Sequence, residues 1–360
     1  MSTTLEEVVE TKDRRYPLKR PPNHKVPVPR WTLKLPDAVT HIYTLYVGAQ
    51  AHGADHSALA SAEQIMEKLI RSDQGKPMAV DILRVTHGFD VVDSKVWVAY
   101  WTDAKAFQAK LDALGLRKAW NDLGEAKHSI GLWSESFTTP VERLETNYAS
   151  LLHQPGISQA PGAEFPAHNL TAYWGAGRDR LPASKDDLFH PPDETRPPDP
   201  APVGVGQYLT GTNYDNMCHI RSGQWWEQCP PDEREAYESD LQIKLMGGMQ
   251  HLWDNPLETG TIGLRFLQNV NGADEKIRES CGAGFFRNWA DLEYWSSTHP
   301  SHLAIFVGAL AHARKFGPDK KFMTWHEVSI LKEGEARFEY VNCEPSTGLI
   351  RWVKMEQQEL

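Results

Sequence analysis

Several features are scarce in this chain of 360 residues, and each absence excludes a class of protein. Its four cysteines form no C-x-x-C pair, which excludes a disulfide framework and the common zinc-ribbon and redox motifs. No apolar run approaches the roughly 18 residues that a membrane helix needs. The acidic first residues lack the apolar core of a signal peptide. We therefore expect a cytoplasmic protein with reduced thiols and without a membrane partner.

The charge pattern excludes a second class, the nucleic-acid-binding proteins. The formal net charge is −10, and no long block of like charges occurs. The nearest basic cluster, residues 12–20, lies in a proline-rich stretch at the N-terminus and is too short for an electrostatic footprint on nucleic acid. The hydrophobic content of 40% and the charged content of 24% are typical of a globular protein with a full core.

The apolar patterns predict an α+β fold made of two similar halves. In the first half we predict strands at 41–48, 81–86 and 96–101, and helices at 57–71 and 104–114. In the second half we predict strands at 206–210, 216–221, 261–269, 283–286, 323–330 and 336–342, and helices at 231–253 and 289–294. This order is typical of ferredoxin-like units.

The predicted organisation has an extended N-terminal arm, residues 1–36, followed by a single domain, residues 37–360. The two halves span about 37–150 and 205–345. The segment between them, 151–204, is predicted to be irregular, with an exposed proline-rich loop at 191–202. Short strands are predicted at 130–133 and 171–174.

The stretch from Trp295 to Phe306 carries the most informative histidine. Pro300 fits the first turn of a helix, where its missing N–H costs nothing. From there an apolar face recurs at spacings of three and four, formed by His302, Ile305, Phe306, Ala309, Leu310 and Ala313. A histidine at the head of such a face needs a partner for its ring nitrogen, which could be a carbonyl, a water or a metal.

The residues alone leave four interpretations of the histidines open. A zinc site could use His299, His302 and the pair His326-Glu327, although the i, i+3 spacing differs from that of helical zinc hydrolases. His302 could be a hydrogen-bonded core residue. It could also be the axial ligand of a haem, bound non-covalently since no C-x-x-C-H is present. Finally, Ser222 and His326 could form a hydrolase pair, although no G-x-S-x-G surrounds the serine.

Five short motifs, in the same order, make the chain resemble the aldoxime dehydratases, haem enzymes that convert aldoximes to nitriles. The motifs are Tyr173-Trp174-Gly175 with Arg178-x-Arg180-x-Pro182, Ile220-Arg221-Ser222-Gly223-Gln224-x-Trp226, Ser297-Thr298-His299-Pro300-Ser301-His302-Leu303, Trp325-His326-Glu327-Val328-Ser329 and Tyr340-Val341-Asn342-Cys343-x-Pro345-x-Thr347-Gly348. The similarity extends from about residue 28 to about residue 353.

This resemblance implies roles for five residues. His302 would be the proximal ligand of the haem iron, and His326 the distal acid–base residue. Ser222 and Arg180 would hold the oxime hydroxyl. Glu145 would belong to the same distal polar set.

The resemblance also implies a fold, a cofactor and an assembly. The fold would be related to dimeric α+β barrels, with haem b in an apolar pocket, ferrous in the active state, and the protein would be a homodimer. Arg178 flanks the same turn as Arg180, so the motif leaves the choice between them open. A non-catalytic haem-binding protein and a haem peroxidase-like enzyme are the competing functions, since both could share the proximal histidine.

Overall fold

Alternating and continuous apolar segments build one large antiparallel sheet in the computed structural model, which describes residues 14–53, 56–192 and 197–360. Its strands are β1 (His41–Ala51), β2 (Ala79–Gly88), β3 (Lys95–Trp101), β4 (Ile130–Pro140), β5 (Leu144–Tyr148), β6 (Gln207–Thr212), β7 (Met217–Trp225), β8 (Thr261–Val270), β9 (Lys276–Phe286), β10 (Met323–Leu331), β11 (Ala336–Val341) and β12 (Met355–Glu359). The order across the sheet is β12-β6-β11-β4-β1-β3-β2-β8-β9-β7-β10-β5.

Helices cover this sheet, and several begin at side-chain caps. They are α1 (His56–Arg71), α2 (Ala104–Leu114), α3 (Leu116–Asn121), α4 (Ala176–Arg180), α5 (Pro231–Ala236), α6 (Gln242–Asp254), α7 (Pro256–Thr259), α8 (Trp289–Thr298) and α9 (Pro300–Phe316). Asp103 caps α2, and Asn288 caps α8, because each side chain accepts a hydrogen bond from a first-turn amide. None of the helices in the described ranges is long and apolar enough to cross a membrane.

The two halves have the same topology. In the first, β1-α1-β2-β3-α2-β4 gives the sheet order β4-β1-β3-β2. In the second, β7, α5–α6, β8, β9, α8–α9 and β10 give β10-β7-β9-β8, the same order read from the other end. The halves join where β2 pairs with β8. Each half therefore has the βαββαβ connectivity that is typical of ferredoxin-like units.

The sheet differs from the barrel-like arrangement that was expected. Within the described part of the chain it is open, with β12 and β5 at its two ends, so strand pairing does not close it into a barrel. At the β5 end, the N-terminal arm adds an isolated bridge between Trp31 and Tyr148. The additional strands β6, β11 and β12 extend the first half beyond β4, and β5 extends the second half beyond β10.

One predicted element is wrong, and two strands were not predicted. Residues 171–174 form a turn instead of a strand, because Ala172 (φ 61°) and Gly175 (φ 98°) adopt left-handed conformations that end an extended chain. The strands β5 and β12 are each five residues long. In the proline-rich 191–202 segment the described residues form no helix or strand, and residues 193–196 and 1–13 lie outside the described ranges.

The predicted long helix at 231–253 is present with one irregularity. Residues Tyr237–Leu241 form a π-helical turn between α5 and α6. Single π turns often occur at functional sites because they shift side chains around the helix. Tyr237 and Leu241 are both buried.

Candidate active site

A cavity of about 420 Å³ lies between the sheet of the second half and its helices. Such a volume is within the usual range for small-molecule sites. Its apolar wall is formed by Leu241, Leu245, Met249, Leu264, Phe286, Trp289, Leu292, Trp295, Ile305, Phe306 and Val328. Its polar lining includes Arg30, Glu145, Asn147, Arg180, Ser222, Gln224, His302, Thr324 and His326. All five residues predicted for the site therefore line one cavity.

His302 lies in the first turn of α9, on the helix side of the cavity. Its ring meets the Trp295 ring edge-on, with the centroids 4.8 Å apart. Its Nδ1 atom is buried and has no hydrogen-bond partner of standard geometry in the described part of the chain. Burial lowers the pKa of His302 to about 4, although the backbone of Ser296 acts in the opposite direction. The imidazole is consequently neutral at physiological pH, the form that binds metals.

The opposite wall is formed by three neighbouring strands. The central strand, β10, carries His326. Across the sheet, His326 lies opposite Asn147 on β5 and opposite Ser222 on β7. Residues directly opposite each other in a sheet point to the same face, so these three side chains form a row that faces the cavity. Glu145 precedes Asn147 by two residues on β5 and therefore points to the same face.

A buried charged cluster surrounds His326. Oε1 of Glu145 accepts a hydrogen bond from Nε of Arg180 and lies 3.0 Å from Nε2 of His326. Nη2 of Arg180 is 3.3 Å from the same imidazole nitrogen, and its Nη1 donates to the Leu170 carbonyl at 2.5 Å. One imidazole nitrogen is thus shared by an acceptor and a donor, an arrangement in which it can either hold or receive a proton.

The electrostatics of this cluster fix the charge of Glu145. Burial by itself raises the pKa of a carboxyl group, but Arg180 and then His326 outweigh it and lower the pKa of Glu145 to about 2. Glu145 is consequently ionised at all ordinary pH values. Its charge compensates that of Arg180, and the pair is fully enclosed, with Glu145 1% and Arg180 7% exposed.

The structure separates the two arginines that the motif left equivalent. Arg180, at the end of α4, contacts Glu145 and His326. Arg178 instead donates to the carbonyl of Pro17 at 2.7 Å and to Asp179 at 3.0 Å, so it holds the N-terminal arm. Arg180 is therefore the arginine that the structure brings to the cavity.

The structure does not bring the residues of the zinc interpretation together as metal ligands. His299 caps α9 through Nδ1, 2.8 Å from Oγ of Ser301, and its ring stacks on His251 with the centroids 3.7 Å apart. Glu327 points to the sheet face opposite His326, where it accepts from the Tyr100 hydroxyl at 2.8 Å. Among the residues described, no group of three His, Cys, Asp or Glu side chains could hold a metal ion.

The hydrolase interpretation is also unsupported. Ser222 and His326 are neighbours across the β7–β10 pair, but their side chains make no hydrogen bond within the described ranges. An activated serine needs its base within hydrogen-bond reach. Ser222 therefore faces the cavity as a free hydroxyl that can bind a ligand.

Several cavity residues were not predicted from the sequence. Asn147 could have been found from the alternation along β5, because it lies two residues after Glu145. Gln224 and Thr324 follow Ser222 and precede His326 by two residues, so the same alternation applies to them. Arg30 could not have been found this way, since it belongs to the arm and reaches the cavity through long-range pairing.

Comparison with known proteins identifies the family. The profile of the haem-containing dehydratases matches residues 45–349. The chain belongs to this family. It is 30% identical to a phenylacetaldoxime dehydratase of Bacillus sp. (strain OxB-1) over 94% of this chain and 95% of that protein. It is 29% identical to an aliphatic aldoxime dehydratase of Pseudomonas chlororaphis over 92% and 93% of the two chains. These homologues are lyases.

Solved structures agree with this membership in the haem-containing dehydratases. A crystal structure of an aldoxime dehydratase in complex with butyraldoxime is 26% identical, with a TM-score of 0.82 over 95% of this chain and 94% of that one. A second aldoxime dehydratase structure is 28% identical, with a TM-score of 0.84 over 95% and 96%. The mixed α/β fold with one large antiparallel sheet is thus that of the aldoxime dehydratases.

The cavity of this haem-containing dehydratase fits its family's cofactor. Haem requires an axial ligand from the protein and a broad apolar pocket. The neutral imidazole of His302, with an orphaned nitrogen, lies in a wall of aliphatic and aromatic side chains. The sheet side carries His326, Ser222 and Glu145, and the helix side adds Glu293, Ser296 and Ser297 around His302. The residues present therefore suit a haem held from the helix side.

Proposed function

We propose that this chain converts aldoximes, R–CH=N–OH, to nitriles and water with a bound haem b in its ferrous state. His302 holds the iron, and the catalytic set is His326, Ser222, Arg180 and Glu145. The observation that carries the proposal is the buried cluster around His326, on the wall of the cavity opposite His302. The named activities of the relatives support the same reaction.

The reaction requires a proton for a poor leaving group. When bound, ferrous haem supplies a coordination position for the oxime nitrogen and electron density for cleavage of the N–O bond. His326 then donates its proton to the departing hydroxyl, which leaves as water. The same imidazole removes the hydrogen on carbon, so R–C≡N forms and His326 returns to its starting protonation state.

The other three side chains prepare His326 and the oxime for that transfer. Glu145, ionised and 3.0 Å from Nε2, stabilises the protonated imidazole before the transfer. Arg180 lies beside the same nitrogen and can donate to it once the proton has left. Ser222, in register with His326, presents a hydroxyl that orients the oxime oxygen.

The competing functions lack such support. A non-catalytic haem-binding protein needs the proximal histidine and the cavity, but it has no use for an ionised carboxylate and a guanidinium buried beside a distal histidine. A peroxidase-like enzyme also uses a distal histidine with an arginine. In this chain, however, Arg180 is paired with Glu145, so its charge is already compensated inside the protein.

We further propose that residues 37–360 act as a single haem-binding domain after the N-terminal arm, and that the protein works as a cytoplasmic homodimer. The shared β2–β8 pairing between the halves supports one domain. The four cysteines are free and buried, as is usual in a reducing compartment. The dimer is proposed from the resemblance to the aldoxime dehydratases.

The test is a direct assay of the reconstituted protein. Haem is added to the purified chain, the Soret band is recorded, and the dithionite-reduced protein is mixed with phenylacetaldoxime or butyraldoxime under nitrogen. We expect a Soret band and formation of the corresponding nitrile, measured by gas chromatography. A protein without a Soret band, or one that binds haem but forms no nitrile from either substrate, would contradict the proposal.

A further inference from the structure

Arg30 contributes a guanidinium group to the wall of the cavity. It lines the same cavity as His302 and His326 and is partly buried. Its guanidinium makes no hydrogen bond, ion pair or ring contact with any residue in the described part of the chain. A guanidinium has five N–H donors and stays protonated, so burying one without an acceptor is unfavourable. The structure therefore leaves a charge in this wall for something else to satisfy.

The other buried arginines show how this chain normally treats such a charge. Each is paired with a carboxylate: Arg143 with Asp187, Arg180 with Glu145, Arg221 with Asp81, and Arg265 with Asp90 and Glu135. The pairs of Arg221 and Arg265 have N–O distances of 2.6 to 2.8 Å. Arg30, which is partly buried, differs from these four because no carboxylate pairs with it in the described part of the chain.

The surroundings of Arg30 add positive charge. Burial, and to a lesser extent the nearby charge of Arg180, lowers the pKa of Arg30 to about 10. Burial also lowers the pKa of Lys320 to about 8, with Arg30 as the next largest cause. Arg30 remains protonated at neutral pH, and two other cations are close enough to act on it or be affected by it. An anion in the cavity would relieve this repulsion.

Backbone hydrogen bonds fix the position of Arg30 in the fold. The neighbouring Trp31 exchanges two hydrogen bonds with Tyr148 at the end of β5, at 3.0 and 2.9 Å. The carbonyl of Arg30 accepts from the amide of His168 at 3.0 Å. The arm is thereby inserted beside β5, and Arg30 is held at the wall of the cavity.

We propose that Arg30 binds a carboxylate of the molecule that occupies the cavity. This inference rests on the proposed function, which brings a haem and an aldoxime into the cavity, and the carboxylate can belong to either of them. One source is a propionate of the haem, and the other is a carboxylate on the side chain of the aldoxime. Guanidinium groups recognise carboxylates through two parallel hydrogen bonds, and both sources offer the same two oxygens.

The first arm of the test measures haem binding without turnover. The apoprotein is titrated with haem and with haem dimethyl ester, followed by Soret absorbance, in the wild type, Arg30→Gln and Arg30→Lys. Exposed Arg117, changed to Gln, is the matched control. If a propionate is the partner, Arg30→Gln should weaken haem binding about 10- to 100-fold and leave the ester unaffected. Arg30→Lys should recover part of the loss, since it keeps the charge.

The second arm measures substrate binding to the reduced, haem-loaded protein. An aliphatic aldoxime with a terminal carboxylate is compared with its methyl ester through the shift of the Soret band. If the substrate is the partner, the wild type should bind the acid at least about tenfold more tightly than the ester, and Arg30→Gln should lose that preference.

The two arms together decide the role of Arg30. The proposal would be overturned if Arg30→Gln bound haem and haem dimethyl ester as tightly as the wild type does, and if the wild type showed no preference for the acidic aldoxime. That result would leave the proposed function intact. Failure of the wild type to bind haem at all would overturn both. Neutral butyraldoxime, which has no carboxylate, tests the proposed function separately. An equal shift of the Soret band in the wild type and Arg30→Gln shows that the haem site binds an aldoxime, so a negative result in both arms then counts against the role of Arg30 alone.

Discussion

The two halves of the molecule use one topology for different purposes. In the first half, α1 and α2 pack onto the sheet through a continuous apolar core that includes Trp97, Trp101 and Phe107, each at most 6% exposed. In the second half, the equivalent helices stand away from the sheet and enclose the 420 Å³ cavity. The same topology therefore accommodates a filled core in one half and a cavity in the other.

A local motif makes the two halves directly comparable. Gly48 on β1 lies opposite Trp133 on β4, and Gly223 on β7 lies opposite Trp325 on β10. At both glycines an added Cβ would come within 2.2 Å of the tryptophan ring, so only glycine leaves room for it. An arginine stacks over each ring, at 4.0 Å for Trp133 and 4.9 Å for Trp325.

The residues beside this motif carry the difference. Val47 and Ser134 form the cross-strand pair next to it in the first half, and Ser222 and His326 form the same pair in the second. Val47 packs under α1 in the filled core, whereas Ser222 and His326 face the cavity. At these equivalent positions the first half therefore carries core residues, whereas the second half carries polar side chains that face the cavity.

The largest effect should come from removing the ligand on the helix of the second half. His302→Ala is expected to abolish stable haem binding, because no other histidine of α8 or α9 lines the cavity in the described ranges. The measurement is the Soret band after reconstitution. His299→Ala is the control: it should keep the haem and cost about 1 kcal/mol of stability through the lost helix cap. Loss of haem from His299→Ala but not from His302→Ala would make His299 the iron ligand instead.

The next effect tests the cross-strand pair itself. His326→Ala should lower kcat about 100- to 10,000-fold, the usual contribution of a general acid–base group, and should keep the haem. Ser134→Ala, at the equivalent position of the first half, should leave kcat within about twofold. Both are measured as nitrile formation with equal haem loading. Near-native turnover by His326→Ala would remove it as the proton donor.

A matched pair of leucines tests whether the first half is filled and the second is open. Leu132→Ala, in the filled core, should lower the free energy of unfolding of the apoprotein by about 2–5 kcal/mol. Leu245→Ala should cost less, because one side of Leu245 faces the cavity and has fewer contacts to lose. Urea denaturation measures both. An equal or larger cost for Leu245→Ala would argue against an open second core.

The smallest effects concern two carboxylates of the second half with opposite pH dependence. Burial raises the pKa of Glu327 to about 7, against the lowering effect of Arg221. Between about pH 4.5 and 7 the Glu327 carboxyl group is therefore more protonated in the folded state than in the unfolded chain. This contribution makes the protein less stable as the pH rises from about 4.5 to 7, by up to about 3 kcal/mol. Glu145, with its lowered pKa, stabilises above about pH 4.5 and loses this contribution as the pH falls towards 2.

Glu327→Gln should therefore flatten the fall in unfolding free energy between pH 5 and 7, relative to the wild type, and leave the acid limb unchanged. Glu145→Gln should flatten the acid limb and leave the range between pH 5 and 7 unchanged. Urea denaturation at a series of pH values measures both. An unchanged slope in either variant over its own range would refute the corresponding pKa shift.

Much of the fold and part of the site followed from local sequence patterns. The face of α9, the capped start of α2 at Asp103 and the two βαββαβ units are encoded by spacing and capping over a few residues. The roles of His302 and His326 came from the resemblance, because periodicity alone could not tell an iron ligand from a core histidine.

The remaining features depend on contacts between distant segments. The arm reaches the cavity because Trp31 pairs with Tyr148, more than a hundred residues away, and no local pattern encodes that contact. The same holds for β5, which exists as a strand through its pairing with β10. The turn at 171–174 depends on the left-handed conformation of Ala172, which an alanine rarely adopts, so the residue types favoured a strand.

The most direct measurement follows the Soret band and the product together when butyraldoxime is added to the reduced, haem-loaded protein. The wild type should show a shifted band that returns as the nitrile appears. His326→Ala should show the shifted band without nitrile on the same timescale, since His302 would still hold the haem while the proton donor is missing. A wild type that shifts without forming nitrile, or a His326→Ala variant that forms it at the wild-type rate, would contradict the division of labour between the two walls of the cavity.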